Sequence, residues 1–212
     1  MSLSKVNGAL CSQNMKTLKE KYTMVRLWMA ITAAAAIFCI AAPTAYAVEV
    51  EGIAFAETYQ VEDIELHLRG SSLLRYLIFI DAYVGAFYML PQEDARQALG
   101  RTPRRLELEY FHAISASDFA EATRQKVADN VPAATLATIS DRLEAFNAFY
   151  QDVQPGDRYA LTYRPGRGTE LSLNGTPLGS IEGDDFAAAV FAIWLGPDPI
   201  DTDFRDALLG VQ

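Results

Sequence analysis

GTELSLNGTPLGSIEGDDFAAAVFAIWLG, residues 168–196, reads as strand, tight turn, strand and helix in that order. Leu171 and Leu173 alternate with polar residues, the period of a half-buried strand. Asn174-Gly175 predicts a two-residue hairpin, because a type I′ turn holds both central residues at positive φ. Thr176 to Ile181 is the returning strand. Gly183-Asp184-Asp185 starts a helix with carboxylates at the positive end of its dipole. Phe186, Ala189, Val190, Ile193 and Trp194 give that helix one apolar face, and Gly196-Pro197 closes it. A helix delivered by a hairpin in this way lies on a sheet, and the upstream chain must supply that sheet.

Working backwards, Tyr159, Leu161 and Tyr163 share one face of a strand from Arg158 to Arg164, after a turn at Gln154-Pro155-Gly156-Asp157. Two helices precede it. One is capped by Ser115 and runs to about Asn130, with Phe119 and Val127 inside. The other, longer, follows Pro132 and carries Leu136, Ile139, Leu143, Phe146, Phe149 and Tyr150 at helical spacing. Leu106, Leu108 and Tyr110 alternate with Glu107 and Glu109, a strand with one wet face. Pro91 to Leu99 reads as a short helix. Leu73 to Leu90 reads as one or two strands covered on both faces, after a break at Gly70-Ser71-Ser72. Val48 to Tyr59 is a strand with Gly52 as a bulge, and Ile64 to Leu68 another. A last helix runs from about Asp201 to Leu209. Strands at both ends with helices between them predict an α+β domain, an antiparallel sheet with helices on one face.

The 212 residues are 50% hydrophobic and 21% charged, enough for one sizeable core. Lys16, Lys19, Lys21 and Arg26 lead into an apolar run from Leu27 to Ala42, and Ala45-Tyr46-Ala47 fits a signal-peptidase site. Residues 1–47 are therefore expected to be a signal peptide, begun at Met1 or Met24, and the domain to be 48–212, in the periplasm or secreted. No membrane span is expected once the leader is cleaved. The formal net charge is −9. Residues 1–47 hold five basic residues and one acid, so the remainder has 13 basic and 26 acidic residues, a net of −13. That balance argues against nucleic acid as a partner. Cys11 and Cys39 both fall in the leader, which leaves the domain without a disulfide or a thiol nucleophile.

Motifs for chemistry are sparse. His67 and His112 are the two histidines, and neither has a ligand-type neighbour at metal spacing, so no metal is expected. Phosphate-binding glycine motifs are missing, so no cofactor is expected either. Asp184-Asp185 is better explained by the helix start than by acid/base work. Arg75 stands out inside an apolar strand-like stretch. If buried it needs a carboxylate such as Asp81 or a ligand anion; otherwise it lies at a bend and points to water. On an unbroken strand Arg75 and Tyr83 share a face, and a bulge or turn between them would break that parity.

LRGSSLLRYLIFIDAYVGAFYM, LELEYFHAISASDFAEA, GDRYALTYRPGRGTELSLNG, IEGDDFAAAVFAIWLG and the terminal DALLG together resemble the chalcone isomerase-like family, in its bacterial secreted branch. The resemblance covers about Val48 to Gly210. It implies an open-faced β-sandwich, a large antiparallel sheet covered by a layer of helices, with an apolar cleft between them. In the ring-closing isomerases of the family an arginine holds the substrate phenolate, and Arg75 looks like its counterpart. Their threonine hydroxyl maps to Tyr83. Their ketone-polarising tyrosine falls at Phe119, their asparagine near Lys126, and the hydroxyl of their C-terminal helix at Ala187. Most polar groups of the isomerase site are thus replaced. Non-catalytic relatives hold a fatty-acid carboxylate with an arginine and a tyrosine, a pattern that Arg75 and Tyr83 resemble. The resemblance implies a ligand site at Arg75, Tyr83, Phe119 and Ala187 for a fatty acid or small apolar acid. The alternatives are an isomerase with Arg75 and Tyr83 as catalytic groups, or an envelope protein whose cleft is filled by its own side chains.

Overall fold

A computed structural model describes residues 47–76 and 80–211. Seven strands form one antiparallel meander in chain order: β3 (Thr58–Val61), β4 (Ile64–Tyr76), β5 (Ile80–Met89), β6 (Arg104–Tyr110), β7 (Arg158–Arg164), β8 (Gly168–Leu173) and β9 (Thr176–Ile181). A separate hairpin, β1 (Ala47–Val50) with β2 (Ile53–Ala56), precedes them. The helices are α1 (Ala116–Asn130), α2 (Ala133–Asn147), α3 (Asp184–Leu195) and α4 (Thr202–Leu209). The architecture is α+β, as the order of patterns predicts. The predicted leader, apart from Ala47, lies outside the described residues.

The deciding stretch folds as read. Asn174 and Gly175 sit at φ 50° and 78°, and Leu173 pairs with Thr176 across the turn. Ser115 caps α1, its Oγ accepting from the Asp118 amide, and Gly210 ends α4 at φ 66°. The helix α3 differs in one respect. Ala187, Phe191, Ala192 and Leu195 are buried along with Phe186, Ala189, Val190 and Ile193 of the predicted face, so it is covered nearly all round. Its other sides meet α1, α2 and α4, which fill the layer around it.

Several boundaries differ for identifiable reasons. Glu51 and Gly52 both have positive φ, so the predicted bulge is the turn of the β1–β2 hairpin. The strand β4 runs through Gly70-Ser71-Ser72, with a register shift between Leu68 and Gly70 in place of a break. The predicted helix at 91–99 is only a 3₁₀ turn, Ala95–Gln97. The second helix stops at Asn147, no longer than the first at 15 residues each, and Phe149 and Tyr150 follow it. The expected wet face of β6 is dry: Arg105 and Glu107 are buried.

That last difference comes from the β1–β2 hairpin, which lays Ile53 and Phe55 into a second apolar cluster with Val84, Ala86 and Tyr88. The charges beneath it pair internally. Arg105 Nε donates to Glu107 at 2.8 Å and its Nη1 to Thr162 Oγ1 at 2.6 Å. Arg158 donates to Glu107 and Glu109, reaches the Ala54 carbonyl, and lies 4.5 Å from the Phe55 ring centroid. Buried charges persist only when paired in this manner.

The two aspartates of the α3 start have separate structural partners. Asp184 accepts from the Tyr163 hydroxyl at 2.6 Å and pairs with Arg101. Asp185 takes a two-pronged bond from Arg142 of α2, 2.8 and 2.7 Å. The Arg142 hydrogen bonds hold the Asp185 carboxyl down at about 2. An ordinary aspartate titrates near ~3.9, so this contribution is complete above that pH and is lost as pH falls through the folded value. Both side chains are partly exposed, 31% and 45%, which screens the pair. The stability gap between parent and Arg142→Gln, under about 1 kcal/mol at neutral pH, is expected to close between about pH 4 and pH 2 in urea titrations.

Candidate functional site: a cavity between sheet and helices

Register decides what faces the helices. Cross-strand partners share a face, so Tyr83 opposite Tyr110, Leu108 opposite Tyr159, Leu106 opposite Leu161, and Leu161 opposite Leu171 form one continuous floor. Phe119, Ala122, Thr123 and Lys126 of α1, Phe146 of α2, and Ile193 and Trp194 of α3 close over it. They leave a cavity of about 700 Å³. Ile114, Asp118, Tyr150 and Ile200 complete its lining.

Aromatic edges set the shape of the interior. Phe119 stacks on Tyr150 at 5.3 Å and meets Tyr110 and Tyr159 edge-on, both at 5.2 Å. Tyr83 meets Tyr110 at 5.4 Å and Phe204 at 5.7 Å, again edge-on. Such tilted pairs place ring hydrogens against π-faces.

Most polar groups in the lining are already satisfied. The Tyr150 and Thr123 hydroxyls bond each other at 2.9 Å. The Tyr159 hydroxyl donates to the Gln151 carbonyl and accepts from its amide. Trp194 Nε1 donates to the Tyr83 oxygen at 2.9 Å. Indole is only a donor, so among the described residues Tyr83 keeps its own proton free to give. The Tyr110 hydroxyl makes no side-chain hydrogen bond among the described residues. Burial raises the pKa of Tyr83, Tyr110 and Tyr150, so all three phenols stay neutral at physiological pH.

Of the four residues expected at the site, the structure brings two together. Tyr83 and Phe119 both line the cavity. Ala187 is fully buried inside α3 and does not reach it. Arg75 is also absent from the lining, and this corrects its expected place at the cleft. Its Nε donates to Asp81 at 2.9 Å, Glu51 stands 3.9 Å away, and the side chain is 54% exposed. The reason is local. Leu74 faces the core opposite Tyr83, the register shifts between Leu74 and Arg75, and β4 and β5 are separate antiparallel strands. The shared parity of Arg75 and Tyr83 does not survive that change.

Lys126 is the cation that lines the cavity. Its position was legible: Phe119, Ala122, Thr123 and Lys126 fall at i, i+3, i+4 and i+7, so a lysine interrupts the inner face of α1. Tyr110 and Tyr159 were likewise on the inward parity of their strands. A fully buried cation, Arg104, lies elsewhere, between the Tyr163 and Phe191 rings at 4.4 and 4.5 Å. Burial pulls its pKa down to about 10. Among the described residues no three His, Cys, Asp or Glu side chains gather as metal ligands.

A family profile described as chalcone isomerase-like matches residues 47–210. Among solved structures the chain is similar to the fatty-acid binding protein AtFAP1 of Arabidopsis thaliana, with a TM-score of 0.60 and 15% identity. That match covers 78% of this chain and 96% of the plant protein. No curated protein matches the sequence.

Proposed function

The chain belongs to the chalcone isomerase-like family, and on that premise we propose that it is a non-catalytic binding protein that takes a fatty acid, or another acid with a long apolar body, into the cavity between sheet and helices. The cavity itself carries the reading. Its 700 Å³ fall within the ~300–1,000 Å³ of small-molecule sites. Its walls are leucine, isoleucine and aromatic side chains with few unspent polar groups. Each methylene moved there from water is worth about 0.8 kcal/mol, so about ten carbons offer roughly 8 kcal/mol before ordering costs. AtFAP1, a fatty-acid binding protein, shares the fold. Tyr83 is the polar contact inside, giving its free proton to a ligand oxygen. The isomerase reading asks for a guanidinium in the lining, where this chain has Lys126. A secretory leader in residues 1–47 would deliver the domain to the periplasm or outside the cell. A mature N-terminus at Val48 supports that route, and an uncleaved chain counts against it.

Native mass spectrometry of lipid-stripped protein offered palmitate is expected to show one acid bound per chain. No uptake would refute the proposal in favour of a self-filled cleft. Tyr83→Phe is expected to weaken binding about threefold to tenfold, the worth of one hydrogen bond. Arg75→Ala is expected to leave affinity within about twofold, because surface pairs with Asp81 and Glu51 contribute little to a site they do not line.

A further inference from the structure

Resting on the binding reading above, we infer that Lys126 is the carboxylate anchor and that it fixes the ligand's direction, with the acid group at the Lys126 end of the rim and the chain beneath the aromatic layer. The inference starts from a charge asymmetry along α1. Asp118 and Lys126 both line the cavity. Eight residues of helix separate them by ~12 Å. One end of the rim therefore carries an acid and the other an ammonium held between two acids.

Among the described residues the lining offers no charge other than those of Asp118 and Lys126. Tyr83 and Tyr110 are neutral donors, and burial holds them so. Tyr83 by itself gives a carboxylate one neutral hydrogen bond, which does not repay the desolvation cost of the charge. Lys126 can repay it. It lines the cavity with its side chain 21% exposed, as a long stem with a charged tip at a rim allows. Asp129 and Asp198 stand 3.3 and 3.6 Å from Nζ. Both distances exceed the ~2.7–2.9 Å of a charge-assisted hydrogen bond, and an ammonium has three donors. Both acids share its charge, so a ligand carboxylate competes with Asp129 and Asp198 for the ammonium's donors.

The rim on that side is built, not loose. Asn130 of α1 donates to the Asp198 carbonyl at 2.7 Å and accepts from the Asp198 amide at 3.0 Å. This reciprocal pair pins the segment after α3, from which Ile200 joins the lining. The ligand class that fits is a long-chain monocarboxylate, favoured over the alcohol and the amine of equal length.

Trp194 lines the cavity and Trp28 is the other tryptophan, so the full chain with Trp28→Phe reports binding through Trp194 fluorescence. Laurate, dodecanol and dodecylamine are titrated into it. Lys126→Gln is expected to weaken laurate about tenfold and leave dodecanol within twofold. Asp118→Asn is expected to strengthen laurate about twofold by removing the repelling end. Lys126→Glu is expected to reverse the order, with dodecylamine above laurate. Unchanged laurate affinity in Lys126→Gln, or equal losses for laurate and dodecanol, would overturn the anchor while leaving the binding reading intact. A parent chain that takes up neither would overturn the binding reading itself, and the anchor with it.

Discussion

Gly70→Ala is expected to destabilise the domain by about 3 kcal/mol, at the upper end of the cost of overpacking. The helix α4 crosses β4 at this residue. A Cβ on Gly70 would stand 2.0 Å from the Ala207 carbonyl oxygen and 2.9 Å from that of Leu208. Both are backbone atoms, and no rotamer change moves them aside. The helix would have to lift off the sheet, and with it the buried Phe204 and Leu208. At ~2–4 °C per kcal/mol for a chain of this size, the melting temperature should fall by about 6–12 °C. Gly175→Ala separates this effect from backbone strain. Nothing lies within 4 Å of a Cβ there, but φ is 78°. Its cost is expected near ~1 kcal/mol, from conformation alone. A Gly70→Ala protein no less stable than Gly175→Ala would mean that α4 does not pack on β4 as described.

The second large effect concerns binding. Ala122→Trp is expected to weaken laurate uptake by about 100-fold while the melting temperature stays within about 2 °C of the parent. Ala122 lines the cavity from an exposed position on α1, so an indole can enter without displacing core side chains. Its ring would take the space of about four methylenes, roughly 3 kcal/mol of apolar burial denied to the ligand. Equal laurate affinity in the variant would place the acyl chain somewhere other than this cavity. A fall in both stability and binding would show instead that the rim is part of the core.

The elements were largely legible because each carries its own local chemistry. Asn174-Gly175, the Ser115 cap and the alternation of Tyr159, Leu161 and Tyr163 each specify a conformation within a few residues. The candidate site was legible by halves. Tyr83 and Phe119 lie on the correct parity and reached the cavity. Arg75 did not, because its direction depends on a register shift and a chain reversal that no periodicity records. Ala187 did not, because α3 is covered on more than one side. Glu107 looked solvated from its alternation, and only the β1–β2 hairpin, arriving from 50 residues upstream, makes it buried.

Sequence alone determined the α+β class, the order of strands and helices, the closing hairpin and the inward parity of the phenols, since propensity, turn chemistry and period 2 or 3.6 all act over short distances. Tertiary structure decided where Arg75 faces. A guanidinium is placed by whichever carboxylate the fold brings within a few ångströms, and for Arg75 that is Asp81 at the surface. Those distances come from pairing between strands and from helices crossing a sheet, and neither is written in the residues next door.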